Sequence, residues 1–499
     1  AKQAASWGAG LGSVAINLSG EVNHDTAFKN SIVDQGNGNY YSTHWYYGTN
    51  GYNGAGADAP SWKTALGDEQ VLVKAAGNAG KAYSAGINQM ATATDTDGNL
   101  ILDGQMIIVG NWDSQNGIIN SSSNKAGTVC TNFTNGVCLD AAKIKDFYIM
   151  ADGTNVTSTS VNGGYVSMTG TSMAAPVVTG SIAVLHQMWP FMKGKSLVQL
   201  VLVTGNKNIA GYDENVHGQG LLDMDKATRP VGATGLPTSG RTDGGVSAVT
   251  GGANVSGVSA GQIVALTGVM VLDSFERDFY IDLGDMTQSV DTRTASVAEQ
   301  MGAVNYFAPY LDKTQSVAVP VTINERSSVT IGAGATEGSY LGNSFSGTLG
   351  TTKSSSTVYA NYNYVNGGFY AQAGLGITSV EFDKSNSMLA SADRVISSTA
   401  TAGYNINDNW GVAVSQPVTI ESAKMDYNVP VARTLDGNVV TEMRTVDFKS
   451  SSREIDLGTY YNFNVMGADV STFAEVRTGV AALKDAIETR VGINANFKF

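Results

Sequence analysis

Histidine is scarce in this 499-residue chain, and so are cysteine, proline and charge. There are four histidines, two cysteines and nine prolines, and charged residues make up only 15% of the total. With a formal net charge of −13, the chain is poorly suited to bind nucleic-acid phosphates, so no nucleic-acid partner is expected. No apolar run is long enough for a transmembrane helix. The 59 glycines and the low charge favour an exported, β-rich protein with two or more domains.

The two cysteines predict a small closed loop. Cys130 and Cys138 stand on either side of the pair Asn135-Gly136, which is typical of a turn. No further metal ligands stand close by, so a metal site is not expected here. A disulfide between Cys130 and Cys138 suits this spacing, and it predicts an oxidising compartment.

The stretch GTSMAAPVVTG, Gly170–Gly180, places a small hydroxyl residue at the start of an apolar helix. Apolar side chains cover every side from Met173 to Leu185, so this helix is expected inside a domain. Pro176 is compatible with the helix if it lies in the first turn. Ser172 is then at the helix N-terminus, where free N–H groups favour a negative charge. Taken alone, such a serine is more simply explained as a helix cap.

The string Gly-Thr-Ser-Met-Ala-Ala-Pro resembles the nucleophile motif of the subtilisin-like serine proteases. Four further segments are similar, in chain order, to the family's substrate-binding strand, its oxyanion segment, the next core strand with its Ser-rich turn, and its closing segment. They are AINLSG (15–20), VKAAGNAG (73–80), IIVGNWDSQNGIINSSSN (107–124) and HGQGLLDMDKAT (217–228). The resemblance covers residues 10–230 and implies an α/β fold with a parallel sheet and helices on both sides.

The resemblance also implies a role for each matched residue. Ser172 Oγ is expected to attack a peptide carbonyl, while the Asn78 side-chain amide and the Ser172 backbone N–H hold the oxyanion. Without the resemblance, Asn78 in Gly-Asn-Ala-Gly would be a turn residue. Two segments are expected to bind substrate, namely Leu18, Ser19 and Gly20, and Ala75, Ala76 and Gly77. No cofactor and no metal ligand is expected; structural calcium is common in the family, but no Asp-rich loop here establishes it.

No histidine of this chain fits the role of the base that a serine nucleophile needs. In the family the Asp and the His precede the Ser, whereas His24 and His44 follow the AINLSG segment and lack the family's His-Gly-Thr context. His186 lies in the apolar helix, and His217 lies in the closing segment. We interpret the chain as a protease truncated at its N-terminus, and the alternative is a protease-like domain that has lost its activity. In both cases the chain alone is expected to be a poor catalyst.

Composition divides the chain into three parts. Residues 1–230 are expected to form the partial peptidase domain. Residues 231–304 are expected to be a linker and junction, because 232–261 are Gly, Ser, Thr and Ala with little to bury. Within this part, GVMVLDSFERDFYIDL (268–283) resembles the junction of subtilase autotransporters, and 291–301 has the pattern of a short helix. Residues 305–499 are expected to form an all-β C-terminal barrel.

Residues 305–499 alternate with a period of two, in about ten or eleven segments separated by turn residues. Such segments are typical of outer-membrane barrels. The final segment, VGINANFKF, resembles the terminal strand of those proteins; its apolar positions are Val491, Ile493, Ala495, Phe497 and Phe499, and they alternate with Gly492, Asn494, Asn496 and Lys498. The last strand of a soluble sandwich would read similarly. The length also leaves little room for the twelve strands expected of an autotransporter barrel.

Together these features predict a serine endopeptidase that works through an acyl-enzyme on Ser172 and is anchored by a translocator barrel. Its substrates are expected to be proteins or peptides, and its partners the outer membrane and the barrel-assembly machinery. Its expected location is the surface of a Gram-negative bacterium, with the passenger attached or secreted. Two alternatives stay open: an inactive protease-like binding or adhesive protein, and a secreted protease with a soluble β module.

Overall fold

The computed structural model describes most of the chain beyond residue 62 and one short strand before it. The described residues are 15–18, 63–64, 66–82, 91–127, 133–134, 137–138, 142–160, 163–257, 260–291, 307–312, 314–465, 468–482 and 485–497. They belong to two compact units. Unit 1 comprises Ala1–Ala233 and Asp273–Arg277, and unit 2 comprises Thr234–Leu272 and Asp278–Phe499.

The described part of unit 1 contains short strands and the helices named below, besides helical residues at 63–64 and 66. The strands are β1 (Ala15–Leu18), β2 (Val71–Ala75), β3 (Met106–Asp113), β4 (Ile118–Ile119), β5 (Phe133–Thr134), β6 (Val137–Cys138), β7 (Tyr148–Asp152), β8 (Val156–Thr159) and β9 (Tyr165–Met168). The helices are α1 (Thr171–Met188), α2 (Gly194–Val203), α3 (Glu214–His217) and α4 (Met224–Ala227), and a 3-10 turn spans Ile144–Phe147. No helix among the described residues is both long and apolar enough to cross a membrane.

A parallel sheet forms the centre of unit 1. Strands β1, β2, β3 and β7 run parallel in that order, and β4 folds back on β3. Every residue of β3 is buried, as is usual for a parallel strand covered on its faces. Helix α1 packs against β1, β2, β3 and β7, and α2 packs against β2 and α1. The predicted α/β fold with a parallel sheet is confirmed.

Helix α1 begins at Thr171 and buries most of its surface, as its apolar sequence predicts. Pro176 lies inside this helix, in the second turn rather than the first. Proline has no N–H, so it cannot donate to the carbonyl of Ser172 four residues earlier. The helix tolerates this because it loses one hydrogen bond only a turn from its N-terminus.

A buried ion pair holds the two stretches of unit 1 together. The Arg277 guanidinium and the Asp273 carboxylate are fully buried and 2.7 Å apart. Arg277 also donates to the backbone carbonyls of Ala227 and Arg229, at the end of α4. Its guanidinium carbon lies 4.4 Å from the centroid of the Trp189 ring, which adds a cation–π contact. The C-terminal end of α4 is thus capped by a cation, which its dipole favours.

Unit 2 is dominated by strands. They are β10 (Gly235–Pro237), β11 (Val246–Ala248), β12 (Gly251–Val255), β13 (Val269–Leu272), β14 (Asp278–Ile281), β15 (Thr287–Ser289), β16 (Ser316–Asn324), β17 (Ser327–Glu337), β18 (Ser344–Gly347), β19 (Thr351–Asn366), β20 (Phe369–Asp383), β21 (Leu389–Ala392), β22 (Val395–Asn405), β23 (Trp410–Ser422), β24 (Lys424–Arg433), β25 (Val439–Asp447), β26 (Ile455–Val465), β27 (Ala468–Thr478) and β28 (Ile487–Phe497). One short helix, α5, spans Ala260–Ile263, and 3-10 turns span Thr242–Gly244, Val264–Leu266, Gly284–Met286, Ala308–Tyr310 and Val480–Ala482.

The main sheet of unit 2 has nine strands, in the order β16-β17-β19-β20-β22-β23-β26-β27-β28. The sequence indicates ten or eleven alternating segments in residues 305–499 and leaves the number of barrel strands open, with a smaller or incomplete barrel as an alternative. Within the described part of the chain, β16 and β28 are not paired with each other. All neighbours in the sheet are antiparallel. With nine such strands, β16 and β28 run in the same direction, so an antiparallel pair between them cannot close the sheet. Antiparallel barrels have an even number for this reason.

The two faces of this sheet have different chemistry. On β19, the exposed face carries Val358 and Tyr362, while Tyr359, Asn361 and Asn363 are buried. The same pattern recurs along the sheet; exposed apolar positions include Leu375, Ile377, Val412, Val414, Leu457, Val491 and Ile493, and buried polar positions include Thr330, Thr357, Thr378, Ser397, Thr399, Thr401 and Ser415. The period-two alternation predicted from the sequence is confirmed for these strands.

The stretch predicted as a Gly- and Ser-rich linker is folded in unit 2. Strand β10 pairs with β11 and β13, and β12 pairs with β15 and β18. Three apolar residues of this stretch, Leu236, Ala253 and Val255, are buried in a core with the aromatic side chains of Phe345 and Phe448. Partners far along the chain therefore supply the apolar surface that the stretch itself lacks.

Candidate active site

The predicted site residues lie where the parallel strands of unit 1 end. Asn78 follows β2, and Gly153 follows β7 directly. The backbone N–H of Gly170, just before α1, donates to the Gly153 carbonyl over 2.9 Å. Ligands of open α/β sheets bind outside the carboxyl ends of the strands. The N-terminus of α1 therefore meets Asn78 at the edge where a site is expected.

Ser172 is the second residue of α1 and is half-buried. The first turn of a helix leaves N–H groups without helical partners. Here the Thr171 N–H donates to Asn78 Oδ1 (2.9 Å), and the N–H groups of Met173 and Ala174 donate to the Gly170 carbonyl. Within the described residues, neither the N–H nor the hydroxyl of Ser172 has a hydrogen-bond partner. Both are thus available to a substrate.

Asn78 is held through its oxygen. Its Oδ1 accepts from the Thr171 N–H (2.9 Å) and from the Thr171 hydroxyl (3.0 Å), and that hydroxyl accepts from the Gly77 N–H (3.1 Å). Across the part of the chain that the structure describes, the Asn78 Nδ2 group has no acceptor. Because the oxygen is fixed, the amide group is oriented with its two N–H donors free, as an oxyanion donor must be.

Two glycines allow the close approach of these elements. A Cβ on Gly170 would lie 3.3 Å from Asn78 Oδ1 and 3.4 Å from Nδ2. A Cβ on Gly153 would lie 2.7 Å from the Gly170 carbonyl oxygen and 2.9 Å from the Ala174 Cβ. A side chain at either position would push the helix N-terminus away from the strand ends.

The structure describes only some residues of the two predicted substrate-binding segments. Leu18 is the last residue of β1 and pairs with Lys74 on β2, while Ser19 and Gly20 lie outside the described residues. Ala75 and Ala76 are buried, and Gly77 is half-buried with a φ of 102°.

Neither described histidine can serve Ser172. His186 lies on α1 fourteen residues later, which corresponds to about 21 Å along a helix. His217 is buried against Trp112 and Tyr212, and its Nδ1 lies 3.0 Å from the backbone N of Asp213. Burial lowers the pKa of both imidazoles below the ordinary value of 6.5. His24 and His44 lie outside the described residues.

The other sequence-predicted features are only partly placed. Cys138 ends β6, but Cys130 lies outside the described residues, so the disulfide stays a prediction. The same holds for the short helix predicted over 291–301, of which only Asp291 is described. Among the described residues, no group of three or more His, Cys, Asp or Glu side chains is arranged to hold a metal ion. Structural calcium accordingly stays open.

A parallel α/β sheet, with a serine at a helix N-terminus beside free N–H donors, defines the class of α/β proteins with a serine-based hydrolytic site. Residues 5–221 match the profile of the subtilase family. Over these residues the chain is similar to the subtilisin-like serine proteases, as the sequence motifs predict.

Two known proteases are similar in sequence to this chain over short stretches. An extracellular serine protease of Serratia marcescens is 41% identical over 69 residues, which are 14% of this chain and 6% of that protein. Subtilisin BL of Lederbergia lenta is 38% identical over 81 residues, which are 16% of this chain and 29% of that protein. The chain thus spans less than a third of the length of either relative.

One solved structure is similar at lower identity. It is the self-cleaved protease domain of PatA, with 19% identity, a TM-score of 0.28, and coverage of 45% of this chain and 66% of that chain. A TM-score of this size is too low to support a statement about this protein.

Sequence reasoning assigned no role to two residues that the structure brings to Asn78. Thr171 lies inside the quoted nucleophile motif, but the pattern alone does not show that its hydroxyl reaches Asn78. Asn124 ends the quoted Ser-rich segment, and its buried side chain bonds to the backbone around Asn78. The available signal was the presence of both residues inside segments that resemble the family.

Proposed function

We propose that this protein is a serine endopeptidase with Ser172 as its nucleophile. The observation that carries the proposal is the orientation of Asn78, whose Oδ1 is bound by Thr171 while its Nδ2 stays free beside the N-terminus of α1. Together with the free Ser172 N–H, this provides two donors for one oxyanion. Such a pair is what stabilises the tetrahedral intermediate of acyl transfer.

The chemistry follows from these groups. Ser172 Oγ attacks the carbonyl carbon of the scissile peptide as its proton passes to a base, and the carbonyl oxygen becomes an oxyanion held by Asn78 Nδ2 and Ser172 N–H. Collapse breaks the C–N bond, the amine leaves with a proton, and Ser172 carries an acyl ester. Water then hydrolyses this ester and restores the hydroxyl.

The proposal expects the 499-residue chain by itself to be a poor catalyst. His186 lies too far from Ser172 along α1 to act as its base, and the side chain of His217 is buried. The sequence around His24 and His44 does not match the family base. Without a base, an enzyme of this kind retains only the part of its rate enhancement that comes from substrate binding and the oxyanion donors, about 10³–10⁴ over water.

Peptide hydrolysis by the full-length gene product and by the 499-residue chain tests this proposal. We expect turnover by the full-length product, loss of turnover in Ser172→Ala, and unchanged turnover in the control Ser167→Ala, on the exposed strand β9. Binding of peptides with no hydrolysis by the full-length product would instead support the inactive, adhesive alternative.

For unit 2 we propose that the nine-stranded sheet is part of the anchor that holds the protein in the outer membrane. Support comes from the distribution of side chains on the sheet, which has apolar residues on its exposed face and polar residues on its buried face. Val491 and Ile493 are 79% and 74% exposed, whereas hydroxyl and amide side chains fill the buried face. In water this distribution is unfavourable, whereas lipid on the outer face and water on the inner face would favour it. Insertion by the barrel-assembly machinery belongs to the same proposal.

Aromatic residues near the short turns of the sheet support this arrangement. Tyr364 and Phe369 flank the turn between β19 and β20, with ring centroids 6.3 Å apart, and Tyr461 and Phe463 near the end of β26 are 5.9 Å apart. Trp410 begins β23 and is partly exposed. Aromatic side chains are enriched where membrane strands meet the headgroups.

Membrane fractionation of the full-length product tests the anchor. The proposal expects it to stay with the outer membrane after washes with high salt and carbonate, and to be released by detergent. Release by the washes alone would favour the alternative of a secreted protease with a soluble β module.

A further inference from the structure

The segment Ala76–Lys81, here called the oxyanion loop, connects the end of β2 to Asn78 and the residues beyond it. On one side Thr171 binds the Asn78 side chain. The other side of the loop rests on the turn that ends in Asn124. An amide placed to within a fraction of an ångström needs support from both sides, because small misplacements of catalytic groups are costly.

The Asn124 side chain makes three hydrogen bonds to the backbone of this loop. Its Oδ1 accepts from the N–H groups of Ala79 (3.2 Å) and Lys81 (3.0 Å), and its Nδ2 donates to the carbonyl of Ala76 (3.0 Å). Asn78 lies between these contacts along the chain. One side chain therefore fixes the backbone on both sides of the oxyanion residue.

Backbone contacts join the same two segments. The Asn124 N–H donates to the Gly77 carbonyl (2.8 Å), and the Gly80 N–H donates to the Ser122 carbonyl (2.7 Å). A Cβ on Gly77 would lie 2.5 Å from Asn124 Nδ2. The absence of a side chain at residue 77 lets the Asn124 amide reach the carbonyl of Ala76.

Asn124 is itself held rigidly. Its side chain is buried, and its carbonyl accepts from the hydroxyls of Tyr148 (2.8 Å) and Ser123 (3.0 Å). Tyr148 is fully buried in strand β7, which pairs with β3. A continuous set of contacts thus runs from the core of the sheet through Asn124 to the backbone at Asn78.

We propose that Asn124 is a positioning residue that sets the place of the Asn78 amide at the oxyanion site; this rests on the proposed function of that site. Asn124 does not touch the reacting atoms, and it acts through the oxyanion loop. A residue that only stabilises the fold would lower stability without a specific effect at Asn78, and this difference makes the proposal testable.

Amide hydrogen exchange on the full chain tests the contact itself. In Asn124→Ala, the N–H groups of Ala79 and Lys81 lose their acceptor, and we expect their exchange to accelerate by about tenfold. The Gly80 N–H, which donates to Ser122, should keep more of its protection. Asn124→Asp retains an acceptor and should restore protection at Ala79 and Lys81. If Asn124→Ala does not fold, Asn124→Ser gives the same readout, because its hydroxyl is too short to reach both amides.

The matched control is Asn120→Ala on the same turn. Asn120 bonds to Thr154 and Ser122 but to none of the residues in the oxyanion loop. It should leave exchange at Ala79 and Lys81 unchanged. Unchanged exchange in Asn124→Ala, or equal acceleration in Asn120→Ala, would overturn the proposal. This result does not depend on peptidase activity, so it stays distinct from failure of the proposed function.

A double-mutant cycle in the active full-length product tests whether Asn124 affects catalysis by positioning Asn78. Asn124→Ala alone should lower kcat by about 10- to 100-fold, and Asn78→Ala alone by about 10²–10³-fold. In the Asn78→Ala background, Asn124→Ala should lower kcat little further, because the group it positions is gone. Fully additive losses would show that Asn124 acts elsewhere and would contradict the proposal.

Discussion

The side chain of Asn78 and the N-terminal residue of helix α1, Thr171, are joined by two hydrogen bonds to one oxygen. Asn78 Oδ1 accepts from the Thr171 N–H at 2.9 Å and from its hydroxyl at 3.0 Å. These residues are 93 positions apart in the chain. The contact links the end of β2 to the helix that carries Ser172, and it leaves the Nδ2 group of Asn78 free to donate.

Thr171→Val tests the importance of this contact. The substitution keeps the shape of the side chain, removes one of the two bonds to Asn78, and leaves the Gly77 N–H without its acceptor. We expect kcat of the active full-length product to fall by about tenfold, with little change in KM, because Asn78 Oδ1 keeps only its bond from the Thr171 N–H and its amide is held less firmly. Thr171→Ser retains the hydroxyl and should retain most of kcat. Equal losses in both variants would argue against an effect through Asn78.

Arg277→Met tests the ion pair of unit 1. Removing one partner leaves Asp273 as a buried carboxylate and removes the donors to Ala227 and Arg229. We expect a loss of about 3–5 kcal/mol in the free energy of unfolding, measured by urea denaturation followed by Trp fluorescence. The control is Arg229→Met, whose partner Asp225 is exposed, and it should have little effect. Similar stabilities of the two variants would contradict the role given to Arg277.

Some sequence patterns predicted the fold better than others. The helix from Met173 was readable because it is apolar on every side, whereas the strand that begins near residue 107 was predicted from its resemblance to the family. The period-two segments were also readable, but alternation shows only that a strand has two different faces. It does not show which sheet the strand joins, and β21, β24 and β25 form a separate sheet. The ten or eleven segments counted from the sequence therefore do not correspond one to one with the nine strands of the main sheet.

The site was predicted only where the sequence carries a contiguous signal. Ser172 and Asn78 lie in segments that resemble the family, so the sequence alone could propose them as site residues. The support from Thr171 and Asn124 depends on contacts between residues far apart in the chain, which no local pattern contains. The stretch at 235–255 was expected to be a linker for the same reason, since the residues that bury Leu236 and Val255 come from later parts of the chain.

The buried histidine His217 predicts a pH dependence. Burial lowers its pKa below the ordinary value of 6.5, so the unfolded chain binds a proton more readily than the folded one. The stability from this group is therefore present above pH 6.5 and is lost as the pH falls through the lowered pKa. Thermal denaturation of wild type and His217→Gln at pH 7.5 and pH 5 should show a smaller loss of stability in the variant on acidification. The same loss in both proteins would exclude His217 as its source.

Substitutions at two equally exposed valines, one in each unit, test whether lipid covers the main sheet of unit 2. Val358 on β19 and Val203 at the end of α2 are each 59% exposed. If lipid covers the sheet, Val358→Arg should destabilise the folded protein in bilayers by about 2–4 kcal/mol, while Val203→Arg should be close to neutral. Urea unfolding in lipid vesicles measures both. A neutral Val358→Arg would mean that water, and not lipid, meets this face.

The central claim is that Ser172 is the nucleophile, and covalent labelling tests it most directly. A fluorophosphonate probe is added to the full-length gene product, and the labelled peptide is identified by mass spectrometry. The account predicts a single modified site at Ser172 and no labelling of Ser172→Ala, while Asn78→Ala is labelled more slowly than wild type. Labelling that persists in Ser172→Ala, or a modified residue elsewhere in the protein, would contradict the account.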